Sequence, residues 1–570
     1  MKRIIFISLL ISLIIFPSVS RAVGFNGFLV LDKITNTVEI CDGQNRIKSF
    51  KATPKPARVI VNPDNGGYIL MSRGARKKTG VLTFLDQTFK TVSQKNLPGI
   101  VVRDFYLKES GLWLFFTVSS DKKNPVSSLT CYDLKTQGTD IIPLNGPPVV
   151  YRFNEEQTQL AVGTLGSFSN NLPAELVLIE LIGKETKKFP VSANPGAIYQ
   201  TPSGKIVVAC GGFRNNHRYP SGSPIEKTAT AEKAKLHWID PVSGETSVVQ
   251  LEYLPLRIAQ DRYDSEIFYA VCDNVYGDPN QESQGISLGN ITNPNPNQPA
   301  ATFFKIVSGK IETVLKLQNQ PKHLIQASAA SVCIQGTQAL SIVALSDPVP
   351  KLLEYSYGRE IDQFLFNQDG NIGYLSNVNS NFLNIIDLKT GKEIKTVKIS
   401  KSFFLGKLFG DIFGLRYPPV IQSDPLLETE NRYDNRRMFF SKDFSHLYML
   451  AGSPEVIVFD TQINKVKSAI KFSGAQYGIH PTPDGKLIVV PTDSGWHLID
   501  PSRTKPVFSL SFKHLLDKSE QGPENGYYSP NGKRLIIPFK NYLYLIDLDQ
   551  GSFYGKVRTK ARAPIIVWPE

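Results

Sequence analysis

The sequence predicts an all-β protein, a β-propeller assembled from four-stranded meander blades, and three observations carry that prediction. The first is the stretch Ser473–Phe512, which reads as four short strands, Gln476–Pro481, Leu487–Pro491, Trp496–Ile499 and Pro506–Phe512, separated by Pro, Asp and Gly turns. The second is the recurrence of its two landmarks, a polar turn between the first two strands and an Asp closing the third, at spacings of roughly 40 to 70 residues. The third is a divided unit at the ends. Phe28–Ile40 reads as the last two strands of a blade and Ala563–Pro569 as the first, and a split blade closes a ring without leaving an open sheet edge.

Each landmark can be followed along the chain. The turn recurs at Asn62–Gly66, Asn154–Glu156, Pro202–Lys205, Asn367–Gly370, Ser441–Asp443 and Pro530–Lys533, each ahead of an apolar strand such as Ile206–Ala209 or Leu535–Pro538. The closing carboxylate recurs at Asp32, Asp86, Asp133, Asp240, Asp387, Asp460 and Asp547, with Glu180 in the same role. These aspartates read as turn-formers whose side chains bond nearby backbone amides, not as catalytic acids. Units begin near Ala57, Gly99, Gly146, Asn194, Glu252, Gln320, Gly358, Asn431, Ser473 and Asn525, so the divided unit brings the number to about eleven. Propellers typically have up to about eight blades. The expected arrangement is therefore two propellers in tandem, 23–340 and 341–570, the alternative being one large propeller with long insertions.

These motifs resemble the YVTN and WD40-like β-propeller repeats of bacterial secreted proteins. Thr482–Lys486 and Ser529–Lys533 match that family's Ser-Pro-Asp-Gly-Lys turn, and Ile386–Gly391 matches its Ile-Asp-x-x-Thr-Gly segment. The resemblance speaks for the fold and says little of activity, because propellers host many functions.

Composition sets the remaining frame. Of 570 residues 41% are hydrophobic and 20% charged, as in folded globular chains, and the net charge is +13. Residues 1–22 read as a signal peptide: Lys2 and Arg3, the apolar run Ile4–Phe16, Pro17, and small residues around Ser20-Arg21-Ala22. A periplasmic or extracellular location is the expectation. Cys41, Cys131, Cys210, Cys272 and Cys333 are an odd, widely spaced set within apolar strands and read as buried free thiols.

Long loops on a rigid scaffold commonly carry binding, and here they are basic. Arg73, Arg76, Lys77 and Lys78 form one cluster, and Arg214, His217 and Arg218 another, within a loop running from Gly211 to about Lys235. They are the candidate binding residues for a protein or an anionic cell-envelope polymer. Nucleic acid is not expected, for want of regular aromatic stacking partners beside the basic residues. One insertion differs in kind: in 402–417 Phe404, Leu408, Phe409 and Ile412 recur at helical spacing. It reads as a helix that packs on its own propeller or makes a peripheral contact with a partner or membrane.

No catalytic residue, metal ligand or cofactor site is expected. There is no His-Glu-x-x-His, no Gly-x-Ser-x-Gly and no phosphate-cradling glycine loop. His237 and His497 flank tryptophans in third strands and read as blade-packing residues. The expected function is an exported binding or scaffold propeller presenting a basic, loop-built face. The alternative is a propeller enzyme of the lactonase or quinoprotein-dehydrogenase type, whose groups would converge on the central channel.

Overall fold

A computed structural model describes residues 27–568, apart from 120–125, 166–172, 212–233, 252–254, 274–298, 346–349, 358–360, 377–380, 400–419, 423–437, 451–453, 513–524 and the turn positions 43–44, 63–64, 76–77, 320, 337, 362, 475, 477, 493–494 and 563. The described residues form eleven sheets and no helix, each built on an antiparallel four-stranded meander and one of them carrying a fifth strand, an eleven-bladed β-propeller. The expected all-β fold of four-stranded meanders is thus the observed one.

Blade 1 combines Phe28–Asp32, Thr37–Asp42 and Asn45–Lys51 with the C-terminal strand Pro564–Val567. Blades 2 to 7 span 56–96, 100–144, 148–190, 195–250, 255–317 and 321–356, and blades 8 to 11 span 363–398, 438–471, 480–511 and 525–558. The chain's N-terminal part supplies three strands of blade 1, not two. Asn45–Lys51 is exposed along nearly its whole length, so it lacks the apolar alternation by which strands are read from sequence.

Burial follows strand position. In blade 2 the second and third strands, Tyr68–Ser72 and Val81–Leu85, are almost wholly buried, and the fourth, Thr91–Asn96, is exposed. The middle strands face a neighbouring blade on both sides, so both of their faces are apolar, as in a doubly covered sheet. The resulting cores lie between blades. Ile69, Leu82 and Trp113 join blades 2 and 3, Tyr269, Val332 and Val343 join blades 6 and 7, and Leu340, Ile342 and Leu375 join blades 7 and 8. Phe28, Tyr527 and Leu545 join blade 11 to blade 1. Such clusters run in unbroken order from each blade to the next and back to the first. Residue 340, where the expected boundary falls, lies inside Ala339–Ala344, the third strand of blade 7.

The seam in blade 1 is held by more than strand pairing, which registers Leu29 on Val567 and Asp32 on Pro564. Glu39, 2% exposed, accepts bonds from Thr559 Oγ1 at 2.7 Å and the Lys560 amide at 2.9 Å. Arg46 pairs with it at 3.3 Å. Asp32 accepts the Arg562 amide at 3.0 Å. Burial works to raise the Asp32 pKa, but bonds from the Thr35 hydroxyl and the Arg562 amide outweigh it and hold the carboxyl below its ordinary value.

The recurrent aspartates are turn-formers, as expected. Asp86 accepts the amides of Thr88 and Lys90, Asp240 those of Val242 and Ser243, and Asp387 those of Lys389 and Thr390. The amides of Ser243 and Val242 hold the Asp240 pKa low. The other landmark has an equally local cause. Thr482 Oγ1 donates to Asp484 at 2.6 Å, and Leu487 donates its amide back to Thr482 at 3.0 Å. Gly485 sits at φ +75°, a left-handed position that glycine adopts without steric cost. Ser529, Asn531 and Gly532 repeat the pattern in blade 11.

All five cysteines are buried, and none is in a disulfide. Burial pushes up the thiols of Cys41, to about 12, of Cys131, to about 11, and of Cys333, so their reactive thiolate is suppressed.

Candidate binding surfaces

The outermost strand of each blade leaves one sheet edge facing solvent, and this edge is predominantly basic. The eleven outer strands together hold seventeen Lys and Arg against four acids, Asp140, Glu312, Glu354 and Glu393. That excess equals the +13 of the whole chain. Lysine on an exposed edge opposes strand-to-strand association with another molecule, which accounts for the positions. Several lysines also clasp the next blade. Lys48 donates to the Thr88 carbonyl at 3.0 Å, Lys95 to Gln137 at 2.8 Å, Lys187 to Pro241 at 2.8 Å and Lys395 to Asn464 at 3.1 Å. Each reaches the turn after the third strand of the following blade. A carbonyl partner leaves the positive charge in place.

The rim is richest on blades 8 and 9. Their outer strands, Lys392–Lys398 and Lys465–Lys471, carry six exposed lysines: Lys392, Lys395, Lys398, Lys465, Lys467 and Lys471. The one acid among them, Glu393, is occupied by neutral donors, Tyr355 at 2.6 Å, Asn384 at 3.0 Å and Thr396 at 2.6 Å. The Thr396 and Tyr355 hydroxyls hold its carboxyl below the usual range. Glu393 in turn helps raise the Tyr355 phenol to about 12, after the larger effect of burial.

Two of the residues singled out in the loops fall within the described structure. Arg73 is half-buried, its carbonyl bound by the Val101 amide and its own amide by the Lys55 carbonyl. Its Nε is enclosed without a hydrogen-bond partner. Lys78 is exposed and closes a tight loop through paired backbone bonds with Ala75. Burial thus separates these two, leaving Lys78 as the solvent-facing charge. Arg76, Lys77, Arg214, His217, Arg218, Phe404, Leu408, Phe409 and Ile412 lie outside the described residues, as does the whole of 402–417.

At the channel the blades fall into two groups. The innermost strands of blades 2 to 7 each carry a bulge near their start, at Pro56/Arg58, Val101/Arg103, Pro148/Val150, Pro195/Ala197, Pro255/Arg257 and Pro321/His323. Five of the six open on proline, which has no amide to offer a ladder and is tolerated at a bulge. Successive inner strands are then tied side chain to strand. Arg58 pairs with buried Asp104 at 3.5 Å, Arg103 lies 4.7 Å from the centre of the Tyr151 ring, and Arg152 donates to the Ile198 carbonyl at 3.3 Å. Tyr199 donates to the Ile258 carbonyl at 2.9 Å, and Gln326 to Asp261 at 2.8 Å. The inner strands of blades 8 to 11 and 1 have two to four residues, and their described pairings show no register shift within them.

One further strand enters the channel. Val420–Gln422 pairs in parallel with Asn525–Tyr528, the innermost strand of blade 11, with Val420 opposite Asn525 and Gln422 opposite Tyr527. It belongs to the long connection between blades 8 and 9.

The histidines are structural where the structure describes their bonds. His237 Nε2 accepts the Ser192 amide at 3.0 Å, and His497 Nε2 donates to the Ser473 carbonyl at 2.9 Å, each tying a third strand to the blade before it. Burial lowers the pKa of both. Ser445, Asp443 and His446 cluster in a turn of blade 9, but the Ser445 hydroxyl sits between the acid, at 2.8 Å, and His446 Nδ1, at 2.7 Å. A nucleophilic triad places the imidazole in that middle position. Three hydrogen bonds, from the hydroxyls of Ser441 and Ser445 and the Ser445 amide, pull Asp443 down to about 2. A cavity of about 730 Å³ between turns of blades 10 and 11 is charged but paired within its own wall: Lys486–Asp484 at 3.6 Å, Arg503–Asp500 at 3.2 Å and Lys533–Asp549 at 3.1 Å. Among the described residues no three His, Cys, Asp or Glu side chains are grouped to hold a metal.

No family model matches the chain, and no curated protein matches it by sequence. Solved structures that resemble it include a eukaryotic initiation factor, at 10% identity and a TM-score of 0.40, covering 80% of this chain and 98% of that one. The dihydro-heme d1 dehydrogenase NirN is similar at 11% identity and a TM-score of 0.32, covering 98% of this chain and 78% of that one.

Proposed function

We propose that the protein is an exported binding scaffold of the YVTN/WD40-like kind, and that its basic rim holds an anionic polymer of the cell envelope. The single observation that carries this reading is the run of six exposed lysines on the outer strands of blades 8 and 9, where the only acid is already engaged. Positive charge fixed on a rigid circumference favours a polyanion that can follow the curve, and it acts at a range set by ionic strength. Exported location rests on the leader 1–22. The loop residues Arg214 and Arg218 belong to the same reading as a second basic surface.

The test is binding of dextran sulfate to an immobilised protein at increasing salt. Wild type is expected to bind with an affinity that falls steeply with ionic strength. Replacing Lys392, Lys395, Lys398, Lys465, Lys467 and Lys471 by Gln is expected to weaken it at least tenfold. Arg214→Ala/Arg218→Ala measures the loop contribution separately. Equal retention of the sextuple variant and wild type would sink the rim as the binding surface.

A further inference from the structure

The strand Val420–Gln422 departs from every other pairing in the protein. All blade strands pair antiparallel with a neighbour from the same meander, or across the seam in blade 1, whereas this one is parallel and comes from a connection outside any blade. It lies on the channel side of blade 11, beyond the strand that ends every other sheet. The channel edge of a propeller strand presents backbone amides and carbonyls with no partner in its own sheet, and an added strand satisfies them.

The edge that receives it is held firm from both sides. Tyr527 donates its hydroxyl to the Pro564 carbonyl at 3.1 Å, fixing the strand to the innermost strand of blade 1. On the other flank Gly526 lies against Trp496 of blade 10, so close that a Cβ there would stand 2.6 Å from the indole ring. Behind it, Tyr527 and Tyr528 pair with Ile536 and Leu535. A receiving edge that does not need to be ordered on binding loses less entropy when a strand arrives.

We infer that the channel-facing edge of Asn525–Tyr528 is a strand-receptor site for an extended peptide, and that Val420–Gln422 is a tethered occupant of it. The seated segment shows the chemistry of the partner. It is two β-branched residues and a glutamine, following Pro418-Pro419 in the sequence, a composition that favours extended backbone. Recognition is carried by backbone pairing, so the partner is a polypeptide of this kind that adds in parallel. Because the resident strand is on the same chain, a free peptide competes with an intramolecular occupant and must overcome its effective concentration.

The experiment uses the full chain and a fluorescent peptide of residues 417–425. Ile421→Pro unseats the resident strand by removing an amide and fixing φ, and this variant is expected to bind the peptide at least tenfold more tightly than wild type. The same peptide N-methylated at the amides matching 420–422 is expected not to bind. Failure of Ile421→Pro to bind the unmodified peptide, or equal binding of the methylated one, overturns the inference. Should that variant not fold, wild type with millimolar peptide decides. Faster hydrogen exchange at 420–422 with the unmodified peptide alone supports displacement. Unchanged exchange makes the segment a fixed staple and overturns the receptor.

Discussion

Single residues hold the turns that space the blades, and the consequences of changing them are specific. Gly532 has φ +68°, and a Cβ there would come within 2.9 Å of Pro483 in blade 10. Gly532→Ala is expected to lower stability by about 1–2 kcal/mol from the left-handed conformation alone, read as a drop in the urea midpoint. A midpoint equal to wild type contradicts this. Blade 9 places Phe444, at φ 56°, where blades 10 and 11 have glycine; its ring lies 5.1 Å from that of Phe440. His237 and His497 give a pH signature. Burial lowers their pKa below 6.5, so the unfolded chain takes up protons before the folded one does. Their contribution to stability is whole above pH 6.5 and is lost as pH falls through that value towards the folded pKa. Stability is expected to decline between about pH 7 and pH 5, and His497→Leu is expected to flatten part of that slope. An identical slope in the variant would show that His497 takes no part.

Among elements, the closing strand and the outer strands show where local pattern sufficed and where it did not. The landmark turns and closing aspartates were legible because each is a local matter, settled within six residues by hydrogen bonds such as Leu487 to Thr482 and Thr88 to Asp86. The outer strand Asn45–Lys51 was not, since a strand wet on both faces has no apolar period to read. The lysine clasps were illegible for another reason: Lys95 finds Gln137 only because blade 3 follows blade 2 around the ring. The seam offers an element-scale test. Thr559→Val removes one donor from buried Glu39 and is expected to cost about 1–3 kcal/mol. Faster amide exchange in Phe28–Asp32 and Pro564–Val567 would report it, and unchanged exchange there would show that the Glu39 bond does not hold the seam.

For the whole molecule, the eleven blade interfaces form one cycle, and the outer strands give its circumference a basic excess. Blade number was close to legible, because a meander repeats by sequence. The proposed binding rim was not, because its charge is assembled from outer strands far apart in the chain. Glu39 meets Lys560 across 521 positions. The loop clusters are short basic blocks within single segments, whereas the rim lysines are dispersed among other residues along Lys392–Lys398 and Lys465–Lys471. The same cycle makes the closing contact the point at which the ring answers to force. Leu29 faces Val567 and Asp32 faces Pro564, so the two outward ends of the seam strands lie side by side. Tension drawn through those ends loads the ladder one rung at a time, like a zipper, and not all rungs together in shear. The propeller is therefore mechanically weakest where it is topologically closed, and a pull on its ends peels blade 1 apart before any other blade is strained.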